Sequence, residues 1–255
     1  MNIVLEYIKY RWNAKGRHGT HSPFIYDLVD KCFAITLNVS FRDQRNKLFQ
    51  QLSADKTVIH VKDHGAGSRK MNNERSIQQL FRNSSSKGKY GELLYKLAAH
   101  YKPLRILELG TSIGIGTIHL QYGSTTADIT SVEGCPETYI KALKTFKFMK
   151  SEGLSVVNCS FDEFLQSYEG ESFDLVFVDG HHEGSALLHY LFELKSFTHN
   201  DTIFVLDDIR WSDSMLDAWN RIISSSDFHV TIDLFRMGIV IPRKQQRKEH
   251  FTLKL

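Results

Sequence analysis

Cysteine is scarce in this chain, which has three cysteines among 255 residues. Cys32, Cys135 and Cys159 show no paired spacing and no CxxC motif of the kind that binds metal ions. The pattern therefore predicts reduced core thiols in a cytoplasmic protein, rather than disulfide bonds or a zinc site.

Long apolar runs are missing as well. No segment approaches the roughly 20 apolar residues that a helix needs to cross a bilayer. The first ten residues carry Glu6 and Lys9 inside their apolar stretch, which is unlike a secretory signal peptide. We therefore expect a cytoplasmic protein that has no membrane partner.

Net charge is small, at +3, and gives little support for a nucleic-acid partner. The basic residues are unevenly spread, because they concentrate in residues 1–22 and again in residues 243–254. Such clusters are typical of solvated faces, and a polyanionic partner stays open as the alternative. A hydrophobic content of 42% is ordinary for a globular protein of this length with a sizeable core.

Residues 104–116, LRILELGTSIGIG, are the most informative segment. Their first part is an apolar run with the length of a buried strand, and it carries Glu108 near its end. The loop that follows contains three glycines, Gly110, Gly114 and Gly116. A strand, a glycine turn and a helix can hold a nucleotide-like ligand against bare backbone. The spacing departs from the dinucleotide fingerprint, because His119 stands where its third glycine would be.

The pattern E-x-G-x-x-x-G-x-G resembles motif I of the class I S-adenosylmethionine-dependent methyltransferases. That cofactor has no phosphate but carries an ammonium and a sulfonium centre, so an acid such as Glu108 beside the turn is favourable. The resemblance implies that the loop binds the cofactor through Gly110, Thr111, Ser112 and Gly114. A tight turn in another kind of α/β protein is the alternative.

The chain divides into two predicted parts. Residues 1–87 show mostly helical apolar spacing and form an N-terminal helical extension, with a substrate lid as one interpretation. From residue 88 to residue 255, strands and helices alternate, which predicts βαβ units and a parallel sheet. The predicted strands are 104–109, 127–133, 154–158, 173–179, 201–207, 228–235 and 237–241. We therefore expect an α/β, Rossmann-like, doubly wound sheet of seven mostly parallel strands with an antiparallel terminal strand, the class I methyltransferase layout.

Ligands of open α/β sheets bind beyond the carboxyl ends of the strands, so the residues that follow each strand are site candidates. Glu133 ends the second predicted strand, and its carboxylate can accept both ribose hydroxyls, although an acid there would also suit NAD. Ser160 and Phe161 follow the third strand. The resemblance implies adenine contact by both, and capping of the next helix by Ser160 is the alternative.

Three carboxylates follow the next two strands, those of Asp179, Asp207 and Asp208. Like charges at one edge repel unless a cation or a proton intervenes, and a divalent cation is a natural solution. The arrangement resembles the cation-dependent small-molecule O-methyltransferases, which include the catechol and caffeoyl-CoA enzymes. It implies a Mg²⁺ site at these three residues. That family has asparagine at the place of Asp208, so either metal binding is tighter here, or an acid is protonated and no metal binds.

His182 stands where that family often has a lysine. A neutral imidazole can accept a hydroxyl proton at neutral pH, so we predict His182 as the base, with Asp179 as the second catalytic residue. A surface or helix-capping histidine is the alternative reading of His182.

The sequence thus predicts an S-adenosylmethionine-dependent enzyme that methylates a hydroxyl of a small molecule, assisted by a divalent cation. One alternative is methylation of a hydroxylated uridine in tRNA, guided by the basic termini. Another is a non-catalytic protein that binds a nucleotide cofactor. A homodimer stays open.

Overall fold

The computed structural model describes residues 2–15, 22–61 and 74–255. Within them, the helices are α1 (Ile3–Asn13), α2 (Pro23–Asp27), α3 (Val39–Ala54), α4 (Ile77–Asn83), α5 (Lys89–Tyr101), α6 (Ile115–Gly123), α7 (Pro136–Met149), α8 (Phe161–Ser167), α9 (Gly184–Glu193) and α10 (Asp213–Ser224). The strands are β1 (Val58–His60), β2 (Glu74–Ser76), β3 (Arg105–Leu109), β4 (Asp128–Val132), β5 (Leu154–Val157), β6 (Phe173–Val178), β7 (Thr198–Leu206), β8 (Val230–Asp233), β9 (Gly238–Ile241) and β10 (Glu249–Thr252).

The central sheet has the strand order β10-β8-β9-β7-β6-β3-β4-β5. Strand β9 runs antiparallel to both of its neighbours, and the other pairings in this sheet are parallel. This confirms the α/β, doubly wound class. The switch point, where the order turns from β3 to β6, lies in the middle of the sheet, and the carboxyl ends there form the place where ligands bind in such folds.

The sheet has eight strands within the described residues, and the predicted number of seven is corrected accordingly. The additional strand β10 pairs in parallel with β8 and forms the edge. Its sequence, EHFT, is polar and only partly buried, so it lacks the apolar pattern from which the other strands were predicted. The antiparallel strand β9 therefore lies inside the sheet, between β7 and β8.

Helices cover both faces of the sheet, which explains why its central strands are apolar along their whole length. Alternate residues of β6 enter different clusters: Leu175 and Phe177 pack in one, Val176 and Val178 in the other. The side-chain alternation of a strand thus divides one run of apolar residues between two cores.

The N-terminal residues pack onto the same cores. Ile25 and Leu28 join the cluster on one face of the sheet, and Phe41 and Leu52 pack with residues of α6 and α7. This part is mostly helical as predicted, but it also contains the short antiparallel pair of β1 and β2. The boundary at residues 87 and 88 and the substrate lid stay predictions, and residues 16–21 and 62–73 lie outside the described residues.

None of the three cysteines forms a disulfide bond within the described residues. Cys32 and Cys135 are buried, and Cys159 is partly buried. Among the helices of the described ranges, none combines the length and apolar character required to cross a membrane.

Candidate functional site

A cavity of about 260 Å³ lies at the carboxyl ends of β3, β4 and β6. Seven residues that the sequence predicted for the site line this cavity: Gly110, Ser112, Glu133, Ser160, Phe161, Asp179 and His182. Main-chain hydrogen bonds hold the strand ends together, since the Asp179 N–H donates to Leu109 O at 2.8 Å. Residues from four separate strand ends therefore converge on one space.

Gly110 begins the loop after β3 with a φ of +109°, a conformation that favours glycine. A Cβ atom there would lie 1.9 Å from the carbonyl oxygen of Asp179, which is impossibly close. The absence of a side chain thus lets the loops after β3 and β6 touch. This contact shapes the floor of the cavity.

The carboxylate of Glu133 is fixed by two backbone donors. The Ser112 N–H donates to Oε2 at 2.6 Å, and the Cys135 N–H donates to Oε1 at 2.8 Å. A carboxylate oxygen can accept more than one hydrogen bond, so both oxygens keep acceptor capacity. The geometry presents an oriented pair of acceptors at the cavity wall.

Glu108 lies beneath the glycine loop and is fully buried, so the structure does not place it on the cavity wall. The hydroxyls of Thr117 and Ser131 each donate to its Oε2 at 2.5 Å. Burial raises the pKa of Glu108 from 4.5 to about 7, against the lowering effect of these two hydrogen bonds. The carboxyl group therefore connects β3, β4 and α6 from inside.

Two other predicted cofactor residues also lie off the wall. Thr111 is buried, and its hydroxyl forms a hydrogen bond of 2.5 Å with Ser131. Gly114 faces Phe146, whose ring would lie 2.7 Å from a Cβ atom added there. Both residues shape the loop in this structure. The Thr111 hydroxyl, and the position that a side chain at Gly114 would take, are directed into the protein rather than into the cavity.

Ser160 caps α8 in the structure. Its hydroxyl accepts from the Glu163 N–H, while the Glu163 carboxylate accepts from the Ser160 N–H, which is a capping box. Phe161 contributes an aromatic surface to the cavity and packs edge-on against His181, with ring centroids 5.7 Å apart. The helix start thus places both residues at the cavity.

His181 and Arg75 also line the cavity, and the sequence analysis did not predict either. The Nδ1 atom of His181 lies 2.5 Å from the hydroxyl of Tyr190, which fixes the ring. Spacing alone favours His182 over His181, and residues 69–75 are polar without a helical apolar face, which predicts a loop there. The available signal for Arg75 was its place just after the glycine-containing stretch 58–68.

Asp179, Asp207 and Asp208, here called the acid cluster, lie together as expected. Burial, together with the charge of Asp208, raises the pKa of Asp179 to about 7. The side chain of Asp207 is fully closed from solvent. These carboxyl groups therefore need positive charge or protons nearby.

Arg236 supplies positive charge to the acid cluster. Its Nε atom lies 2.8 Å from Oδ1 of Asp208 and 3.8 Å from Oδ1 of Asp207. Sequence reasoning missed this residue. The available signal was its position in the short link between the strands now labelled β8 and β9. Because β8 and β9 are antiparallel neighbours, this link lies at the same edge of the sheet as the carboxyl end of β7.

The arrangement of the acid cluster does not fit the expected magnesium site. Among the residues that the structure describes, no group of three or more His, Cys, Asp or Glu side chains could hold a metal ion. Mg²⁺ requires near-octahedral oxygen coordination and usually keeps several waters. The closed position of Asp207 and the pairing of Asp208 with Arg236 leave no such coordination sphere.

His182 lies on the cavity wall and faces the acid cluster. Its Nδ1 atom is 3.7 Å from Oδ2 of Asp208, an ion-pair distance rather than a hydrogen bond. Its ring centroid is 5.7 Å from that of Trp211. An imidazole in this position can exchange a proton with a molecule bound between the cavity and the acid cluster.

The protein comparisons agree with this geometry. Residues 107–209 match the family model described as a methyltransferase domain. This segment of the chain is similar to a methyltransferase domain. It runs from within β3 to just after β7, so it includes both the glycine loop and the acid cluster. No curated protein matches the chain.

Solved structures resemble the fold of this chain at low sequence identity. Cofactor-bound Rv0187 from MTB is 16% identical, with 89% of this chain and 100% of that chain covered and a TM-score of 0.57. The O-methyltransferase TomG from Streptomyces achromogenes, in complex with SAM, is 14% identical, with coverages of 85% and 95% and a TM-score of 0.56. An O-methyltransferase from Bacillus cereus, in complex with SAH, is 13% identical, with coverages of 82% and 93% and a TM-score of 0.55. These likenesses confirm the α/β, Rossmann-like fold, which this chain shares with the three structures.

Proposed function

We propose that this protein is an S-adenosylmethionine-dependent O-methyltransferase that acts on a hydroxyl group of a small molecule. The observation that carries the proposal is that the oriented carboxylate of Glu133, the ring of Phe161 and the imidazole of His182 meet in one cavity at the carboxyl ends of the strands. These groups supply acceptors for a ribose, a surface for a base and a proton acceptor.

The residues of the cavity fit this cofactor. Glu133 would accept hydrogen bonds from the ribose hydroxyls, because its two backbone donors already fix the plane of its carboxylate. Phe161 and Ser160 would hold the adenine, and the backbone from Gly110 to Ser112 would hold the methionine part. S-adenosylmethionine, when bound, supplies a methyl group on a positively charged sulfur, which keeps the electron pair of the broken carbon–sulfur bond.

His182 removes the proton from the acceptor hydroxyl. Its Nδ1 faces Asp208, so Nε2 is the atom that accepts the proton. The acceptor oxygen then forms the new bond to the methyl carbon. Alignment of the two bound molecules contributes much of the rate, and proton removal contributes roughly 10²- to 10⁴-fold.

A methyl-transfer assay with His182→Ala tests this function. The wild-type protein should transfer label from methyl-labelled S-adenosylmethionine to members of a panel of phenols and catechols. The variant should lose roughly 10²- to 10⁴-fold in rate while binding S-adenosylhomocysteine as tightly as the wild type. His189→Ala is a matched control, because His189 is half-exposed and pairs with Asp162. A His182→Ala protein with the wild-type rate would show that His182 is not the base.

A tRNA hydroxyuridine acceptor is the second candidate, and it is favoured by the meeting of the two basic segments. The Lys15 N–H donates to Thr252 O at 2.8 Å, and the guanidinium of Arg243 lies 4.6 Å from the ring of Phe24. The two basic segments thus touch at Lys15, whose carbonyl oxygen also accepts from the Lys254 N–H at 3.3 Å. Binding to tRNA that weakens steeply with salt would favour this candidate, and salt-independent or absent binding would count against it.

A further inference from the structure

The acid cluster must be neutralised, because three carboxyl groups lie at one partly closed edge. The Asp207 side chain is closed from solvent and interacts with that of Asp179. The charge of Asp208 lies beside them and requires a counter-charge. In this fold a cation bound from solvent is one way to balance it, and a basic side chain is another.

Arg236 already occupies the position beside Asp208 that a cation would need. Its Nε is 2.8 Å from Oδ1 of Asp208, and His182 faces the other oxygen, Oδ2, at 3.7 Å. Both oxygens of Asp208 therefore point at nitrogen atoms of basic side chains. An ion at the same place would lie against the guanidinium charge and would be repelled.

The link that carries Arg236 is held in position by several contacts. The Ile209 N–H donates to Arg236 O at 3.0 Å, and the Tyr90 hydroxyl donates to Leu234 O at 3.0 Å. Phe235 has a φ of +74°, so the chain turns sharply just before Arg236. The guanidinium is therefore directed at the acid cluster by the backbone of the β8–β9 return.

We propose that Arg236 takes the place of the divalent cation, and that this methyltransferase binds and orients its acceptor hydroxyl without a metal ion. This inference rests on the proposed function. The side chain of Arg236 is one-third exposed, so part of it stays accessible to solvent beside the acid cluster. A guanidinium can donate a hydrogen bond to one hydroxyl oxygen without a chelating second oxygen, so an acceptor with a single acidic hydroxyl suffices.

A manganese titration of the full-length protein, read by electron paramagnetic resonance in the presence of S-adenosylhomocysteine, tests the inference. We expect no stoichiometric Mn²⁺ binding to the wild type. Stoichiometric binding that Asp207→Asn abolishes would overturn the proposal. This result needs no folded Arg236 variant, so it decides the question by itself.

Substitution of Arg236 gives the complementary test. Arg236→Met should gain Mn²⁺ binding, because it exposes the acid cluster, while Arg236→Lys should not. Arg221→Met is the matched control, since Arg221 pairs with Asp217 on the exposed side of α10. A folded Arg236→Met protein that still binds no Mn²⁺ would contradict the role assigned to Arg236. Calorimetry with S-adenosylhomocysteine on the same samples separates the two proposals, because failure of that binding removes the proposed function and leaves the Mn²⁺ result readable.

Discussion

Replacement of the buried Glu108 by glutamine should change how stability depends on pH. The pKa of Glu108 is about 7 in the folded protein and 4.5 in an exposed carboxyl group. The folded state therefore binds this proton more tightly than the unfolded state does. Because each pKa unit corresponds to about 1.4 kcal/mol, the wild type should lose about 3 kcal/mol of unfolding free energy as the pH rises from about 4.5 to about 7.

Glutamine has the shape of glutamic acid but does not ionise. The variant therefore does not lose this part of its unfolding free energy as the pH rises. Its carbonyl can still accept from Thr117 and Ser131. We expect Glu108→Gln to become more stable relative to the wild type, by about 3 kcal/mol, between pH 5 and pH 8. Urea unfolding of both proteins at several pH values measures the difference.

The difference between the two proteins is the informative quantity, because Asp179 contributes its own titration to both profiles, and its pKa is lowered in the variant only by the loss of the Glu108 charge. Glu152→Gln controls for the loss of one carboxyl group at an exposed position. A wild type and a Glu108→Gln variant with parallel stability profiles from pH 5 to pH 8 would refute the reasoning. That result would mean that Glu108 is charged in the folded protein.

Three further predictions concern the cavity and its supports. Glu133→Ala should weaken the binding of S-adenosylhomocysteine in calorimetry by roughly 10- to 150-fold, since a hydrogen bond to a charged group contributes about 1.5–3 kcal/mol. An unchanged affinity would contradict the proposed contact between Glu133 and the ribose. Gly110→Ala should lower the unfolding temperature by several degrees, at a cost on the order of 1–3 kcal/mol, because its Cβ would clash with Asp179 O. Gly88→Ala, whose Cβ would meet no atom within 4 Å, is the control, and equal unfolding temperatures would argue against the clash. Tyr190→Phe should lower the free energy of unfolding by about 1 kcal/mol in urea, since the hydrogen bond between Tyr190 and His181 is lost. An unchanged free energy would show that this hydrogen bond does not stabilise the fold.

Much of the fold and of the cavity could be predicted from the sequence, because simple geometric rules apply to parallel strands. Apolar runs such as that of β6 are buried on both faces and are therefore easy to recognise. The carboxyl ends of such strands meet at one edge, so Glu133 and Asp179 could be assigned to one site before any coordinates were known. The roles given to these residues stay predictions.

The remainder depended on contacts that local sequence does not contain. Strand β10 is polar and owes its place to main-chain pairing with β8. Glu108 has the motif position of a cofactor residue, but strand alternation directs its side chain inward toward Thr117 and Ser131. Arg236 lies in the link between β8 and β9, and only the antiparallel pairing of these strands brings it to the acid cluster.

A calorimetric titration of the wild-type protein with S-adenosylhomocysteine, alongside one with NAD, tests the central claim most directly. The account predicts saturable binding of S-adenosylhomocysteine that Glu133→Ala weakens, and no binding of NAD. Binding of NAD alone, or of neither compound, would contradict it.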